Sequence, residues 1–214
     1  MTAARSSAAA PPEPDGTGRD AERATPDANA TLRLFIALWP DTRVRAALVE
    51  SAGQWSWNAG AARERPERLH LTLHFLGDVP RHRAPALRGE LALAFRPFDL
   101  SLARPTLWPG GMAVLEPAHE VQPLVELHAA LGATLRRLGL RTDTRAFRPH
   151  VTLARRAAGT LAPARVAPVE WRVDGYALAA SRGAGAYEIV QAYPAGTAAT
   201  LERSQRASGK DSLQ

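Results

Sequence analysis

The chain has 214 residues, of which 45% are hydrophobic, and carries a formal net charge of +6 at pH 7. It has no cysteine, which excludes disulfide bonds and thiolate metal sites, and with them a disulfide-stabilised secreted scaffold. Since the sequence also lacks an apolar run of the roughly 18 residues that span a membrane, and the apolar core of a signal peptide, we expect a soluble, cytoplasmic protein without a membrane partner.

Two polar segments flank the part of the chain that can form a hydrophobic core. Residues 1–31 are dominated by Ala, Pro, Ser, Thr, Asp and Arg, and residues 199–214 are also polar. Such compositions cannot bury enough apolar surface to fold, so we predict a disordered N-terminal extension and a flexible C-terminal tail. Residues 32–198 are predicted to form the folded domain.

The first predicted elements are a strand and a helix. Residues 32–39 are almost entirely apolar and are followed by Pro40, which predicts a buried, central strand. Asp41 can cap the helix after it, because apolar residues recur there at helical spacing. A second helix is predicted around residues 87–95, and the alternation over residues 98–103 predicts a half-buried strand.

The second half of the chain contains the clearest helix. An apolar stripe runs through residues 121–138, and Gly139 is placed to end that helix. Strands and helices are mixed without a strict βαβ alternation, which favours an α+β fold with mainly antiparallel sheets. The other predicted elements are a turn at 105–111, a strand at 112–115, and strands at 171–180 and 186–193 joined by a hairpin.

A His-x-Thr-Leu pattern occurs twice, as His70-Leu71-Thr72-Leu73 and as His150-Val151-Thr152-Leu153. Apolar residues alternate in both copies, which predicts strands, and in a strand residues two apart share a face. Each histidine should therefore lie beside its threonine. The two copies divide the folded region into comparable parts, so we predict two pseudo-symmetric lobes of mainly antiparallel sheet, with flanking helices, around a central cleft.

Two histidines that face one substrate suit general acid and base catalysis, because imidazole has an ordinary pKa near 6.5. Phosphoester transfer is the natural reaction: one imidazole takes a proton from water or a ribose hydroxyl, and the other protonates the leaving oxygen opposite. The threonine hydroxyls would hydrogen-bond the non-bridging oxygens. This arrangement requires no metal. Nearly all basic residues are arginine, which binds phosphate through paired hydrogen bonds and is compatible with an RNA partner.

Other histidines, tryptophans and glycines are interpreted as structural. His74 has the parity of His70, but about 13 Å separates them in an extended strand, so they cannot chelate one metal, and His74 is expected at the pocket wall or in solvent. His128, on the helical stripe, is predicted to be partly buried. The five tryptophans are assigned to packing rather than to base stacking. Gly183 and Gly185 are interpreted as a hairpin turn.

Three segments carry a family resemblance: RLFIAL at residues 33–38, LHLTLHFLG at 69–77 and FRPHVTLAR at 147–155. Together they resemble the 2H phosphoesterase superfamily, and specifically its bacterial and archaeal RNA 2′,3′-cyclic phosphodiesterases, also called 2′-5′ RNA ligases. The resemblance covers essentially residues 32–193. One His-x-Thr pattern is common by chance, whereas two copies in these contexts and in this order are specific.

The resemblance implies a bilobal α+β fold and metal-independent hydrolysis of RNA or nucleoside 2′,3′-cyclic phosphates to 2′-phosphates, without a cofactor. His70 would be the general acid that protonates the 3′ leaving oxygen, and His150 the base that activates water. Thr72 and Thr152 would hold the phosphate. Arg155 falls where the family places a phosphate-binding arginine, but strict alternation points it away from His150, so a strand end or a bulge must reorient it.

Several alternatives stay open from the sequence. The substrate is an RNA end with a 2′,3′-cyclic phosphate, a small cyclic nucleotide, or another 2′-linked or cyclic phosphoester. Run in reverse, the same acid and base would join a 2′,3′-cyclic phosphate to a 5′-hydroxyl. The competing class is a non-catalytic RNA-binding module that keeps the cleft, and the two intact motifs favour the enzyme. We expect a monomer.

Overall fold

The computed structural model describes residues 30–182 and 185–196. Most of the predicted N-terminal extension, the predicted C-terminal tail and part of the hairpin at 181–185 lie outside the described residues. The strands and helices are β1 (Thr31–Leu38), α1 (Thr42–Gly53), β2 (Ala62–Arg63), β3 (Leu71–Pro80), α2 (Ala84–Glu90), β4 (Phe98–Trp108), β5 (Met112–Pro117), α3 (Gln122–Arg137), β6 (Val151–Arg155), β7 (Val169–Val173), β8 (Gly175–Ser181) and β9 (Tyr187–Pro194).

The strands form one curled antiparallel sheet with the helices packed around it. Its order is β7-β4-β5-β6-β3-β1-β8-β9, with β2 paired to β6. Every strand pairing among the described residues is antiparallel. The predicted α+β class with mainly antiparallel sheet is therefore confirmed. In the same part of the chain, no helix is both long and apolar enough to cross a membrane.

Each His-x-Thr strand is the innermost strand of a four-stranded lobe. The first lobe continues outward from β3 through β1, β8 and β9, and the second from β6 through β5, β4 and β7. The lobes join where Leu71 of β3 pairs with Val151 of β6. The last two strands follow the second motif in the chain yet belong to the first lobe. The lobes therefore differ from the two consecutive halves that the motif spacing suggests.

Each of the two longer helices follows a strand of one lobe in the chain but packs against the other lobe. Helix α1 follows β1, and its Arg43 donates a hydrogen bond of 3.0 Å to the carbonyl of Glu170 on β7. Helix α3 follows β5, and its His128 carbonyl accepts a hydrogen bond of 2.8 Å from His74 of β3. Asp41 caps α1 by accepting a bond of 2.7 Å from the Val44 amide. Because each helix packs on the opposite lobe, the two lobes share one hydrophobic core.

Several element bounds differ from the sequence prediction. Strand β4 extends to Trp108, so the predicted turn at 105–111 shrinks to 109–111. Pro105 lies opposite Leu115, just after a register shift, where the ladder is already irregular and tolerates a residue without an amide hydrogen. Helix α2 ends at Glu90 and is shorter than predicted. The predicted strand at 171–180 is two strands, β7 and β8.

Candidate active site

The β3–β6 junction brings both motifs to one place. Extending the antiparallel Leu71–Val151 register by one residue in each direction puts each motif histidine opposite the threonine of the other motif. The two histidines are then diagonal neighbours, about 7–8 Å apart, with room for one phosphate between them. A cleft of about 830 Å³ lies on this face, and its lining includes His70, Thr72, His150, Thr152 and Arg155.

A β-bulge lies three residues after each histidine. The β1–β3 register skips Leu73, and the β5–β6 register skips Leu153. A bulge reverses the alternation of the residues that follow it, so Phe75 and Arg155 line the cleft. Of the strand end or bulge expected from the position of Arg155, both are present, since a bulge precedes it and β6 ends at it. Its counterpart in β3 gives His74 a different orientation from His70 and Thr72, although the His74 ring still lines the cleft.

Each motif histidine is held by the main chain two residues before it. Nδ1 of His70 lies 2.6 Å from the carbonyl oxygen of Arg68, and Nδ1 of His150 lies 2.7 Å from that of Arg148. Because a carbonyl only accepts, we assign the ring proton of each neutral histidine to Nδ1. Nε2 is then the nitrogen available to a substrate, as acceptor when neutral and donor when protonated.

Aromatic rings lie against both imidazoles. Trp39 stacks on His70 with ring centroids 5.4 Å apart and planes 7° apart, and Tyr187 meets the same imidazole edge-on at 5.3 Å. Trp108 lies 4.4 Å from His150, centroid to centroid. Burial among these rings lowers the pKa of both histidines below its ordinary value. Two of the tryptophans assigned to packing therefore contact the motif histidines directly.

A glutamate with a largely buried side chain and two arginines lie beside His70. The carboxylate of Glu64, with its side chain 9% exposed, accepts a hydrogen bond of 3.1 Å from Nε of Arg155 and lies 3.4 Å from Nη1 of Arg68. Arg68 also donates a bond of 3.0 Å to the Tyr187 hydroxyl. Glu64 therefore orients two arginines of the cleft, one from each side of the junction.

His150 has an equivalent set. The side chain of Glu116 is 7% exposed and accepts hydrogen bonds of 3.0 Å from Arg148 and 2.7 Å from Thr106. Burial alone would raise the pKa of Glu116, but these hydrogen bonds and the charges of Arg104 and Arg148 together outweigh it and leave the pKa below its ordinary value. The sequence reasoning named Arg155 but missed both glutamates, Arg68 and Arg148. A signal was present for the arginines, since Arg68 and Arg148 each stand two residues before a motif histidine.

A stack of three rings forms another part of the cleft wall. His74, His128 and Phe147 have centroid separations of 4.1 Å and 3.9 Å. His74 is 5% exposed, so of the two expected positions the pocket wall is right and solvent is wrong. Burial lowers the pKa of His128 to about 4, which leaves it neutral at pH 7. The predicted structural role of His128 agrees with this packing.

The cleft is positively charged. Its lining includes the carboxylates Glu64 and Asp143, and it also includes the guanidinium groups of Arg33, Arg68, Arg145, Arg148 and Arg155. Five cations against two anions favour an anionic ligand. Within residues 30–182 and 185–196, no group of three His, Cys, Asp or Glu side chains is arranged to hold a metal ion.

Comparison with solved structures places the fold in a known class. The crystal structure of E. coli LigT complexed with 3′-AMP superimposes with a TM-score of 0.68 over 78% of this chain and 100% of that chain, at 24% sequence identity. The curled antiparallel sheet is therefore the LigT-like phosphoesterase fold.

Sequence comparison defines the family. Residues 42–185 match the model of the 2′-5′ RNA ligase superfamily. An RNA 2′,3′-cyclic phosphodiesterase from Thermus thermophilus is 37% identical over 165 residues, which are 70% of this chain and 82% of that protein. An RNA 2′,3′-cyclic phosphodiesterase from Archaeoglobus fulgidus is 29% identical over 128 residues, which are 58% of this chain and 72% of that protein. The chain belongs to the 2′-5′ RNA ligase superfamily.

Proposed function

We propose that this protein is a 2′,3′-cyclic phosphodiesterase, a hydrolase that opens RNA or nucleoside 2′,3′-cyclic phosphates to 2′-phosphates with two histidines as acid and base. The observation that carries the proposal is the pair of equivalent imidazoles, His70 and His150, each anchored through Nδ1 and lining one positively charged cleft. The names of both relatives support the same reaction.

The reaction follows from the placement of the two imidazoles. Nε2 of His150 takes a proton from water as the water oxygen attacks phosphorus. Protonated Nε2 of His70 gives its proton to O3′ as the P–O3′ bond breaks, which leaves a 2′-phosphate and a free 3′-hydroxyl. Thr72 and Thr152 donate to the non-bridging oxygens, and Arg155 neutralises their charge.

The surroundings of His70 support its role as the acid. Trp39 lies face to face with this imidazole, and an indole face attracts a cation. The Trp108 ring beside His150 already carries a cation, since the guanidinium carbon of Arg148 lies 4.2 Å from its centroid, so that ring favours an imidazolium less. The stacked histidine is thus the better candidate to hold the proton in the free enzyme.

The same acid and base could also serve ligation. A 5′-hydroxyl would then take the place of water: His150 takes its proton as the 5′ oxygen attacks phosphorus, and His70 protonates O3′ as the P–O3′ bond breaks, which gives a 2′-5′ linkage and a free 3′-hydroxyl. RNA ends and small cyclic nucleotides both present the cyclic phosphate that the two motifs would bind. The predicted monomeric state and cytoplasmic location stay predictions.

Incubation with a 2′,3′-cyclic nucleotide in excess EDTA tests the proposal. We expect turnover to a 2′-phosphate, because imidazoles supply both proton transfers. Resolving the 2′- from the 3′-phosphate identifies which P–O bond breaks, and an RNA ending in a 3′-phosphate is the unreactive control. RNA binding without turnover would favour the non-catalytic binding module and contradict the proposed enzyme.

The pH dependence of kcat/KM is expected to peak below pH 6.5. The reaction needs one protonated and one neutral imidazole, and burial lowers the pKa of both His70 and His150 below 6.5. Above that pH both are neutral, the acid is lost, and kcat/KM should fall about tenfold per pH unit. The bound phosphate anion raises the pKa of the histidine facing it, so kcat should peak at higher pH.

Initial rates at subsaturating and saturating substrate, measured in buffers of constant ionic strength, separate these two profiles. A kcat/KM optimum above about pH 7.5 would contradict an acid and a base that both titrate below their ordinary pKa.

A further inference from the structure

The two motif histidines share surroundings that extend beyond the His-x-Thr pattern. Each set contains a glutamate with a largely buried side chain, the arginine two residues before the histidine, an aromatic ring under that arginine, and the histidine itself. These residues are Glu64, Arg68, Tyr187 and His70 in one set, and Glu116, Arg148, Trp108 and His150 in the other. The two glutamates come from different elements and different sequence contexts. Their equivalence is therefore one of position and charge.

We propose that Glu64 and Glu116 are positioning residues, each fixing the arginine whose main-chain carbonyl orients one motif histidine. This inference rests on the proposed function, since it assigns the two carboxylates to the same acid and base. In each set the order of contact is the same: the carboxylate binds the guanidinium, and the carbonyl of that arginine accepts from Nδ1 of the imidazole.

Glu64 connects the first histidine to the opposite motif strand. Its amide donates a hydrogen bond of 2.8 Å to the carbonyl of Leu153 on β6, so its main chain is fixed on the second lobe. Its carboxylate reaches Arg68, at the end of a 3-10 helix (Pro66–Arg68) that leads into the first motif. The same carboxylate holds Arg155. Glu64 thus sets the distance between the anchor of one histidine and the strand of the other.

Glu116 does the equivalent work at the second histidine from within the sheet. It lies on β5 and accepts hydrogen bonds from Thr106 and Arg148. Nη2 of Arg104 forms a further ion pair with its carboxylate at 3.8 Å. Arg148 is also packed on the Trp108 ring, with its guanidinium carbon 4.2 Å from the ring centroid. The side chain of Arg148 is therefore held by Glu116 and by the Trp108 ring.

The charge of each glutamate also acts on its own histidine. Glu64 favours the protonated form of His70 and Glu116 that of His150, in both cases against burial and against nearby arginines. The groups that face His70 are Glu64, Arg68, Arg155 and Tyr187, and those that face His150 are Glu116, Arg148 and Arg155. Removing either carboxylate charge should therefore lower the pKa of one histidine and leave the other nearly unchanged.

The test compares the pH profiles of kcat/KM for E64Q and E116Q with that of the wild type. Glutamine keeps the shape and one acceptor oxygen but removes the charge. We expect each variant to move one limb of the profile to lower pH by about half a unit to one unit, and the two variants to move different limbs. Activity at pH 7 should fall about tenfold, because the imidazole is also less well oriented.

Two sets of variants serve as controls. E64D and E116D keep the charge and should return the shifted limb towards its wild-type position. D99N removes an exposed carboxylate that pairs with Arg172 on the outer strands, and it should leave the profile unchanged. A shift of the same size in D99N would show a general charge effect and overturn the inference.

Titration of the histidine ring signals by NMR gives a readout that does not depend on turnover. In E64Q the pKa of His70 should fall and that of His150 should stay, and E116Q should show the reverse. Suppose that the wild type turns over, and that both glutamine variants show the same kcat/KM pH profile and the same histidine pKa values as the wild type. The positioning role is then wrong and the proposed function stands. If the wild type does not turn over, the proposed function is wrong, and unshifted histidines in the variants would contradict the positioning role separately.

A double variant covers the case in which E64Q fails to fold. E64Q/R68Q removes both charges of the pair and so leaves less unpaired charge in the interior. If Glu64 acts through Arg68, the double variant should lose no more activity than R68Q alone. Additive losses would show that the two residues act independently and would overturn the proposed path.

Discussion

Replacing His70 or His150 by alanine is expected to lower kcat on a 2′,3′-cyclic nucleotide by about 10²–10⁴-fold. Each imidazole is the only group in its set that can exchange a proton near neutral pH, since the arginines stay charged. The folded state should tolerate either change, because both histidines lie at the cleft surface rather than in the core. Single-turnover rates with saturating substrate measure the effect on the chemical step.

H82A is the matched control for both variants. His82 is exposed in the 3-10 helix (Arg81–Arg83) outside the cleft, so its loss should leave kcat within about twofold of the wild type. A variant of His70 or His150 that kept wild-type kcat would show that the acid or the base had been assigned to the wrong residue.

Replacing Leu71 by alanine is expected to destabilise the fold by about 2–5 kcal/mol, which corresponds to a melting temperature lower by about 5–20 °C. Leu71 is fully buried and pairs with Val151 where the lobes join, so truncation leaves a cavity directly behind both motifs. Thermal unfolding followed by circular dichroism measures the change.

I189A provides the comparison for this prediction. Ile189 is of similar size but 47% exposed on β9, and its truncation should change the unfolding free energy by less than about 1 kcal/mol. Equal losses for L71A and I189A would show that the junction is not a well-packed part of the core.

The features that could be predicted from the sequence depend on local periodicity. A histidine and a threonine two residues apart share a strand face whatever the rest of the chain does, which is why the four motif residues could be named together. Local signals also predicted α1 with its cap at Asp41 and α3 with its end at Gly139, where φ is 68°. The structure confirms these elements.

The features that could not be predicted depend on pairing between distant segments. Glu64 and Arg155 are 91 residues apart, and Glu116 and Arg148 are 32 apart, so no local pattern joins them. The bulges depend on register with β1 and β5, and they decide the face of the residues directly after them. This is why His74 is oriented differently from His70 and Thr72 although its parity matches theirs, whereas the need for a strand end or a bulge at Arg155 could be inferred from the family position.

The return of β8 and β9 to the first lobe has a consequence for synthesis of the protein on the ribosome. Tyr187, the first residue of β9, contacts both Arg68 and His70, so the surroundings of the earlier motif are completed by a strand that is translated after both motifs. When both motifs of a nascent chain have emerged from the ribosome, the cleft still lacks one wall. The finished site therefore forms only after the C-terminal strands have left the exit tunnel, and a chain cut between the motifs gives two fragments that must reassemble to regain it.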